Sequence, residues 1–198
     1  MTWRTIVLDF ETSGFESGNI PAQLAYQILD DHGHLIAQHS CFLVGPTQLD
    51  QWVLDNAAHI TLEKCAAGEH LPCALATMFD AAGPQRCVVA HNARFDMQLL
   101  AAHGGDRTIT DLSASRRFCS MVSTALFCTY VGWDGRCKYP KLQELARRLR
   151  VELTDVVAHD AIGDVELTSR CLLELAKPEN DSLYSFLSPP HSASLAFA

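Results

Sequence analysis

Two acidic side chains with one residue between them close the first apolar run of the sequence, VLDFETSG at residues 7–14. Side chains alternate along a β-strand, so Asp9 and Glu11 would point to one face while Phe10 points to the other. Carboxylates this close repel one another and raise each other's pKa unless a cation lies between them. The pair is therefore either the solvated end of a strand or part of a cation site, and the triplet alone does not decide.

A third acidic side chain lies early in a helix in the middle of the chain. HNARFDMQLL, residues 91–100, follows the short buried strand predicted for RCVVAHN and places Asp96 in the first turns of the next helix. Ligands of open α/β sheets bind at the carboxyl ends of strands, so Asp96 could face the acid pair of the first strand. The alternative is an acid that only complements the helix dipole.

The last predicted helix opens with HDAIGDVE, residues 159–166. Five residues of helix correspond to about 140° of rotation, so His159 and Asp164 cannot share a face if both are helical. We expect His159 at the helix start or on the preceding loop, with Asp164 one turn inside. The alternatives are Asp160 as the N-cap and Asp164 as a solvated helix acid.

These side chains must be positioned by strands that alternate with helices. The first strand ends at the acid pair, and a hairpin with its turn at residues 31–33 follows. The remaining pattern predicts helical structure at 50–82, broken by Gly68 and Pro72, a strand at 86–92, a helix at 93–105 that ends at glycine, a short strand at 116–121, a helix at 139–151 with Pro140 near its first turn, and a last helix at 158–177. The order predicts an α/β domain over residues 1–177, with a mixed five-stranded sheet flanked by helices, and a Pro/Ser-containing C-terminal tail over residues 178–198.

Composition limits the class of protein. With 198 residues, 48% hydrophobic and 19% charged, the chain fits one compact domain, and no apolar run reaches the roughly 18 residues of a membrane span. The sequence leads directly into the first strand, which leaves no room for a signal peptide.

The eight cysteines of the chain are scattered, which favours reduced thiols and a cytoplasmic location over a disulfide framework. A net charge of −8 argues against a broad basic surface that binds nucleic acid. It does not exclude a site that binds the end of a nucleic-acid strand through metal ions.

Taken together and in this order, the three acidic stretches resemble the DEDDh group of 3′-to-5′ exonucleases, in the DnaQ-like (proofreading exonuclease) superfamily with a ribonuclease-H-like fold. The motifs are LDFETSG, HNARFDMQLL and HDAIGDVELT, and the resemblance covers most of residues 4–176, including HIT at 59–61. Tyr26 and Asp30 fit the Tyr-x3-Asp motif of a sister group. They precede the middle motif, so His159 is the better candidate.

The resemblance implies a role for each motif residue. Asp9, Glu11, Asp96 and Asp164 would be the ligands of two Mg²⁺ or Mn²⁺ ions, hard cations that prefer oxygen, and such ions clamp the attacking and leaving oxygens of phosphoryl transfer. His159 would accept the proton of the attacking water. The expected reaction releases 5′-mononucleotides from a 3′ end.

Further residues are expected to contact the substrate. Backbone N–H groups near Thr12 and Gly14 would approach the terminal nucleotide. The resemblance implies that Ile60 wedges against the terminal bases, as the matching residue does in relatives. Phe15 either stacks on a base or anchors its loop in the core. Asn92 would orient the middle turn, whereas His91 can be a satisfied buried histidine. The main basic positions, some of which could line the path of the strand, are Arg116, Arg117, Lys138, Lys141, Arg147, Arg148 and Arg150.

Two alternatives to a DNA exonuclease remain open at this point. Oligoribonuclease-like relatives carry a Met after the acid pair where this chain has Thr12 and Ser13, which favours DNA over RNA without excluding an exoribonuclease. The other alternative is an adaptor that docks on a polymerase or clamp through its tail. The ending SASLAF places Leu195 and Phe197 as in a clamp-binding peptide, but without the usual Gln. No membrane partner is expected.

Overall fold

The computed structural model describes residues 3–128, 130–132, 135–136, 138–154 and 159–177. The predicted tail over 178–198 lies outside these ranges, so the domain boundary at residue 177 stays a prediction. Within the described ranges, no helix has both the length and the apolarity that crossing a membrane requires.

Five strands and nine helices make up the described part of the chain. The strands are β1 (Arg4–Thr12), β2 (Pro21–Leu29), β3 (Leu35–Phe42), β4 (Arg86–Ala90) and β5 (Arg116–Cys119). The helices are α1 (Gln51–Asn56), α2 (Leu62–Ala66), α3 (Leu71–Ala82), α4 (Ala93–His103), α5 (Gly105–Ser113), α6 (Ser120–Ser123), α7 (Ala125–Cys128), α8 (Leu142–Leu149) and α9 (Ala161–Leu175).

The strands form one mixed sheet in the order β3-β2-β1-β4-β5. β1 and β2 are antiparallel, as are β2 and β3, whereas β4 runs parallel to β1 and β5 runs parallel to β4. The predicted mixed five-stranded sheet with flanking helices is therefore confirmed. Because β1 and β4 are parallel neighbours, the residues that follow both strands emerge at the same edge of the sheet.

Side-chain alternation along β1 divides the core between the two faces of the sheet. Ile6, Leu8 and Phe10 pack into the larger apolar cluster, which includes residues of α3, α4 and α5. Val7 points to the other face and packs in a second cluster that contains Val165 of α9. By the same alternation, the acid pair of β1 lies on the face covered by α9.

Three details of the predicted helices differ from the structure. Pro72 lies in the first turn of α3 rather than interrupting a helix, a position that needs no N–H donor. Pro140 lies outside α8, which begins at Leu142, and the carboxylate of Glu144 accepts the N–H of Lys141 there at 2.8 Å. Helix α5 was not predicted, because the pair Gly104 and Gly105 marks a helix end, and the nine residues of α5 include only two large apolar side chains, Ile109 and Leu112.

Candidate active site

Three acidic side chains meet where β1 passes under the start of α9. Asp9 and Glu11 extend from β1, Asp164 extends from the first turn of α9, and one carboxylate oxygen of each lies within 4.8 Å of the others. The strand register shifts between Glu11 and Thr12, so the regular ladder with β2 ends just after the acid pair. The structure thus brings together residues that are more than 150 positions apart in the sequence.

Asp96, in the first turn of α4, is the fourth acidic side chain at this place. We call Asp9, Glu11, Asp96 and Asp164 together the acidic group. Its side chain is 2% exposed, and the N–H groups of Phe10 and of Asp96 itself donate to its carboxylate. Its Oδ1 atom has no hydrogen-bond partner within the part of the chain that the structure describes. A buried carboxylate oxygen without a partner is costly, and a helix-dipole role would not require burial. Asp96 therefore fits a ligand role better than a capping role.

Burial raises the pKa of all four carboxyl groups, and the charges of neighbouring acids add to the rise at Asp9, Glu11 and Asp164. Burial first, and then the charges of Asp96, Asp164 and Glu11, raise the pKa of Asp9 well above its usual value. Burial is also the largest cause for the others, and it raises the pKa of Glu11 and of Asp96 to about 7 each and that of Asp164 to about 6. Oxygen donors held this close fit a hard divalent cation, which would remove the repulsion.

His159 lies on the loop just before α9, as predicted. It adopts a left-handed backbone conformation with φ 61°, and its N–H donates to the carboxylate of Asp164. Its exposed ring lies edge-on to the indole of Trp52, with the ring centroids 5.1 Å apart. His159 is therefore attached to a metal-ligand candidate through its backbone and to α1 through its side chain.

Trp52 is a site residue that the sequence reasoning missed. It is 53% exposed, while its neighbour Val53 is buried, so α1 directs the indole toward solvent beside the acidic group. The signal in the sequence that could have identified Trp52 is a large aromatic residue on the polar side of a short helix. An exposed aromatic side chain of this size often has a binding partner.

A buried amide fixes the start of α9. Gln23 of β2 is 4% exposed, and its Nε2 donates to Asp160 Oδ1 at 2.9 Å. Its Oε1 accepts the N–H of Ala161 at 3.4 Å and the Nε2–H of His59 at 3.1 Å. Because a carbonyl oxygen only accepts, His59 must carry its proton on Nε2. Asp160 occupies the predicted N-cap position, but the capping oxygen comes from Gln23.

A cleft of about 360 Å³ opens beside Glu11, between the loop after β1 and helix α1. Its lining includes Thr12, Gly14, Phe15 and Trp52. Phe15 is 84% exposed, so the interpretation of this ring as a core anchor is wrong.

Gly14 allows the loop after β1 to approach α1. It has φ +109°, and a Cβ there would lie 2.3 Å from Asp50 Oδ2. The same carboxylate accepts the N–H of Glu16 at 2.7 Å, and the N–H of Asp50 donates to the carbonyl of Ser13 at 2.9 Å. The loop that forms one wall of the cleft is thus fixed to the helix that carries the other.

Two of the predicted substrate contacts have different surroundings from those expected. Ile60 is 1% exposed and packs with Ala22, Val53 and Cys65, so its burial argues against the predicted wedge and gives it a packing role. Asn92 is exposed at the N-cap position of α4, where its side chain makes no cap bond to the described helix.

The remaining motif residues have structural partners. His91 accepts from Ser120 Oγ at Nδ1 (2.9 Å) and donates from Nε2 to the carbonyl of Pro140 (3.0 Å), so it is a histidine with both ring nitrogens satisfied, as the sequence suggested. Tyr26 is buried on the opposite face of the sheet. Asp30 accepts the N–H groups of the β2–β3 turn. The Tyr-x3-Asp pair therefore lies away from the acidic group.

The predicted basic positions are distributed over β5, α8 and the residues that flank α8. Lys138 pairs with Glu144 at 2.6 Å, and the guanidinium of Arg116 lies 4.1 Å from the ring centroid of Trp3. Arg147 and Arg148 are exposed on α8. The contacts of Lys138 and Arg116 are with other residues of the chain, so their first role is structural.

Comparison with known proteins identifies the family. The model of the RNase T exonuclease family matches residues 6–172. A comparison with curated proteins finds no match. Among solved structures, E. coli exonuclease I in complex with a dA16 oligonucleotide is similar with a TM-score of 0.70 and 20% identity, over 92% of this chain and 42% of that chain. Its complex with a dT13 oligonucleotide gives a TM-score of 0.70 and 21% identity, over 92% and 43%.

The chain thus spans less than half the length of these exonuclease I chains. At 20% identity the structural similarity supports only the fold, a ribonuclease-H-like sheet flanked by helices. The match to the family model, which covers most of the chain, supports the family. With the acid pair on β1, Asp96 on α4, and His159 and Asp164 at the start of α9, the chain belongs to the exonuclease family, among the DEDD-type 3′-to-5′ exonucleases.

Proposed function

We propose that the protein is a metal-dependent 3′-to-5′ exonuclease that releases 5′-mononucleotides from the 3′ end of nucleic acid, with single-stranded DNA as the favoured substrate. The observation that carries the proposal is the meeting of three carboxylates within 4.8 Å beside the buried Asp96 and the exposed ring of His159. Structural support alone would not require five polar side chains from three separate elements at one sheet edge.

Asp9, Glu11, Asp96 and Asp164 would hold two Mg²⁺ or Mn²⁺ ions. The set offers only oxygen donors, which hard cations prefer, and the unpartnered Oδ1 of Asp96 is available as a ligand within the described site. Such ions, when bound, supply Lewis-acid stabilisation of the attacking and leaving oxygens of the phosphodiester. Because burial raises the pKa of Glu11 and of Asp96 to about 7, both carboxyl groups are partly protonated near neutral pH without metal, and metal binding would release these protons.

His159 would act as the general base. An imidazole nitrogen accepts the proton of the attacking water, and the negative charge of Asp164 attracts the imidazolium that results. The T-shaped contact with the Trp52 indole restrains the ring, while the left-handed backbone at His159 keeps it outside α9. The base can therefore approach a substrate while Asp164 stays fixed in the helix.

The cleft beside Glu11 would hold the terminal nucleotides. Phe15 and Trp52 line it and are both exposed, and base–aromatic stacking contributes about 1–3 kcal/mol per base. Backbone groups near Thr12 and Gly14 lie at the same cleft, and Asn92 is exposed at the carboxyl end of β4. The oligodeoxynucleotide complexes of exonuclease I support a DNA substrate, with an exoribonuclease as the alternative.

The cysteines bear on the proposed cytoplasmic location, and the tail bears on the proposed partner. The seven cysteines within the described ranges are free thiols, which supports a reducing compartment such as the cytoplasm. A polymerase or clamp would bind through residues 178–198, which lie outside the described ranges.

The test uses short single-stranded DNA and RNA of one sequence, labelled at either end, with Mg²⁺, Mn²⁺ or excess EDTA. An exonuclease of this polarity shortens the 5′-labelled strand stepwise and releases the 3′ label first as a mononucleotide. The Asp9→Asn variant is the control for contaminating nuclease. Internal cuts, release of the 5′ label first, or undiminished cleavage in EDTA would overturn the proposal.

A further inference from the structure

A second set of metal-ligating side chains lies at the β3 edge of the sheet. The donor atoms of His39, Cys41 and Glu69 all lie within 4.8 Å of one another. His39 and Cys41 are two positions apart on β3, so both side chains point to the same face. The strand register aligns them with Tyr26 and Leu24 of β2.

This set lies on the opposite face of the sheet from the catalytic carboxylates. Tyr26 and Leu24 pair in turn with Leu8 and Phe10 of β1, and paired residues on neighbouring strands share a face. Asp9 lies between those two β1 residues and points the other way. A metal bound at His39 would therefore not contact the group at Asp9.

Backbone hydrogen bonds hold the segment that carries Glu69 against the end of β3. The N–H of Glu69 donates to the carbonyl of Phe42 at 2.9 Å, and its carbonyl accepts from Val44 at 2.9 Å, so Glu69 is bonded to the same chain segment that continues from β3. A Cβ at Gly68 would lie 2.3 Å from the carbonyl oxygen of Phe42. Glycine there permits the approach that places the Glu69 carboxylate beside His39.

The donor types select the metal. An imidazole nitrogen, a thiol sulfur and a carboxylate oxygen form a set that zinc accepts in tetrahedral sites, whereas Mg²⁺ and Ca²⁺ avoid sulfur. Ligand atoms around tetrahedral zinc lie about 3.3–3.8 Å apart, given bond lengths of roughly 2.0–2.3 Å. His39 Nε2 and Glu69 Oε1 are already 3.0 Å apart, and both side chains are partly exposed and can adjust to close the remaining distances.

We propose that His39, Cys41 and Glu69 form a zinc site with three protein ligands and one open position. A hydrogen-bonded His39–Glu69 pair alone would not explain why a thiol faces both partners. Burial and the charge of Glu69 raise the pKa of the Cys41 thiol to about 12, so a zinc ion must displace its proton, as metal ions do at coordinating thiols. Bound zinc would connect edge strand β3 to the turn that precedes α3.

Cobalt(II) is the probe that separates this site from the catalytic one. Thiolate ligation to Co²⁺ gives a sulfur-to-metal charge-transfer band in the near ultraviolet, which an all-oxygen site does not give. With excess Mg²⁺ present to occupy the carboxylate site, we expect the metal-stripped protein to develop this band up to one equivalent of Co²⁺ and to lose it when one equivalent of Zn²⁺ is added. Absence of the band, or its growth well beyond one equivalent under these conditions, would overturn the proposal.

Variants assign the ligands. Cys41→Ser should abolish the band, and Glu69→Gln should weaken Co²⁺ binding at least tenfold. Cys73→Ser, at an exposed thiol on α3, should leave the band unchanged. Circular dichroism and Mg²⁺-dependent nuclease activity, both expected at wild-type level, verify that each variant folds. A band that survives in Cys41→Ser, or unchanged affinity in Glu69→Gln, would refute the site without bearing on the proposed nuclease.

Discussion

The imidazole of His159 meets the indole of Trp52 edge-to-face, with the ring planes at 84° and the centroids 5.1 Å apart. His159 belongs to the third motif and Trp52 to helix α1, so the contact joins the proposed base to the wall of the substrate cleft. An aromatic pair of this geometry is worth about 0.5–1.5 kcal/mol. The position of the base therefore depends on a residue outside all three motifs.

Replacing Trp52 should affect catalysis more than stability. Trp52→Ala should lower the single-turnover rate about two- to tenfold, the equivalent of the lost ring contact, and should also raise KM through lost base stacking. Trp52→Phe should retain most of the rate. Leu54→Ala, at another exposed apolar side chain of α1, is the matched control and should change neither parameter. Equal rates for Trp52→Ala and Leu54→Ala would remove Trp52 from the site.

Substitutions of His159 and of Asp164 should have different effects on cleavage and on metal binding. His159→Ala should lower the rate by roughly 10² to 10⁴, the usual worth of a general base, while Mn²⁺ still raises the Tm as in the wild type. Asp164→Asn should lose most of both activity and metal-dependent stabilisation. Melting curves with and without Mn²⁺, measured beside single-turnover rates, separate the two roles. Wild-type cleavage by His159→Ala would show that another group is the base.

The metal-free protein should lose stability as pH rises toward neutrality. The pKa of Glu11 is raised from 4.5 to about 7 and that of Asp164 from 3.8 to about 6, so between these limits the folded state binds more protons than the unfolded state. The free energy of unfolding therefore falls as pH increases across this window. In EDTA, Glu11→Gln should flatten the decline in Tm between about pH 4.5 and 7, and Asp55→Asn, at an exposed acid of α1, should not. A decline of equal slope in Glu11→Gln would mean that the acidic group does not cause it.

Gln23 should position the third motif through Asp160. Gln23→Leu removes the amide that binds Asp160 and the N–H of Ala161, so we expect both lower stability, by about 1–3 kcal/mol, and a lower kcat. Gln27→Leu is the control, because Gln27 is a buried amide of the same strand that bonds to Gln38 instead. It should lose comparable stability with kcat unchanged. A kcat loss shared by both variants would reduce Gln23 to a structural residue.

The features that the sequence predicted well follow from local periodicity. Strand alternation placed Asp9 and Glu11 on one face, and helical geometry placed His159 before α9 with Asp164 inside it. The features that were missed depend on contacts between distant segments. Nothing near Gln23 in the sequence shows that its amide caps α9. The substrate role of Ile60 was expected from the family resemblance, and the residues that bury it come from β2, α1 and α2.

The central position of β1 makes the acidic group a product of complete folding. Asp9 and Glu11 lie on a strand that pairs with β2 on one side and β4 on the other, and their partner Asp164 comes from the last helix that the structure describes. A ribosome-bound chain that has not yet released α9 would carry three of the four carboxylates and would lack the proposed base, His159. Nascent or prematurely terminated chains would thus not cleave the nucleic acid around them. The proposed nuclease activity would require the completely folded domain.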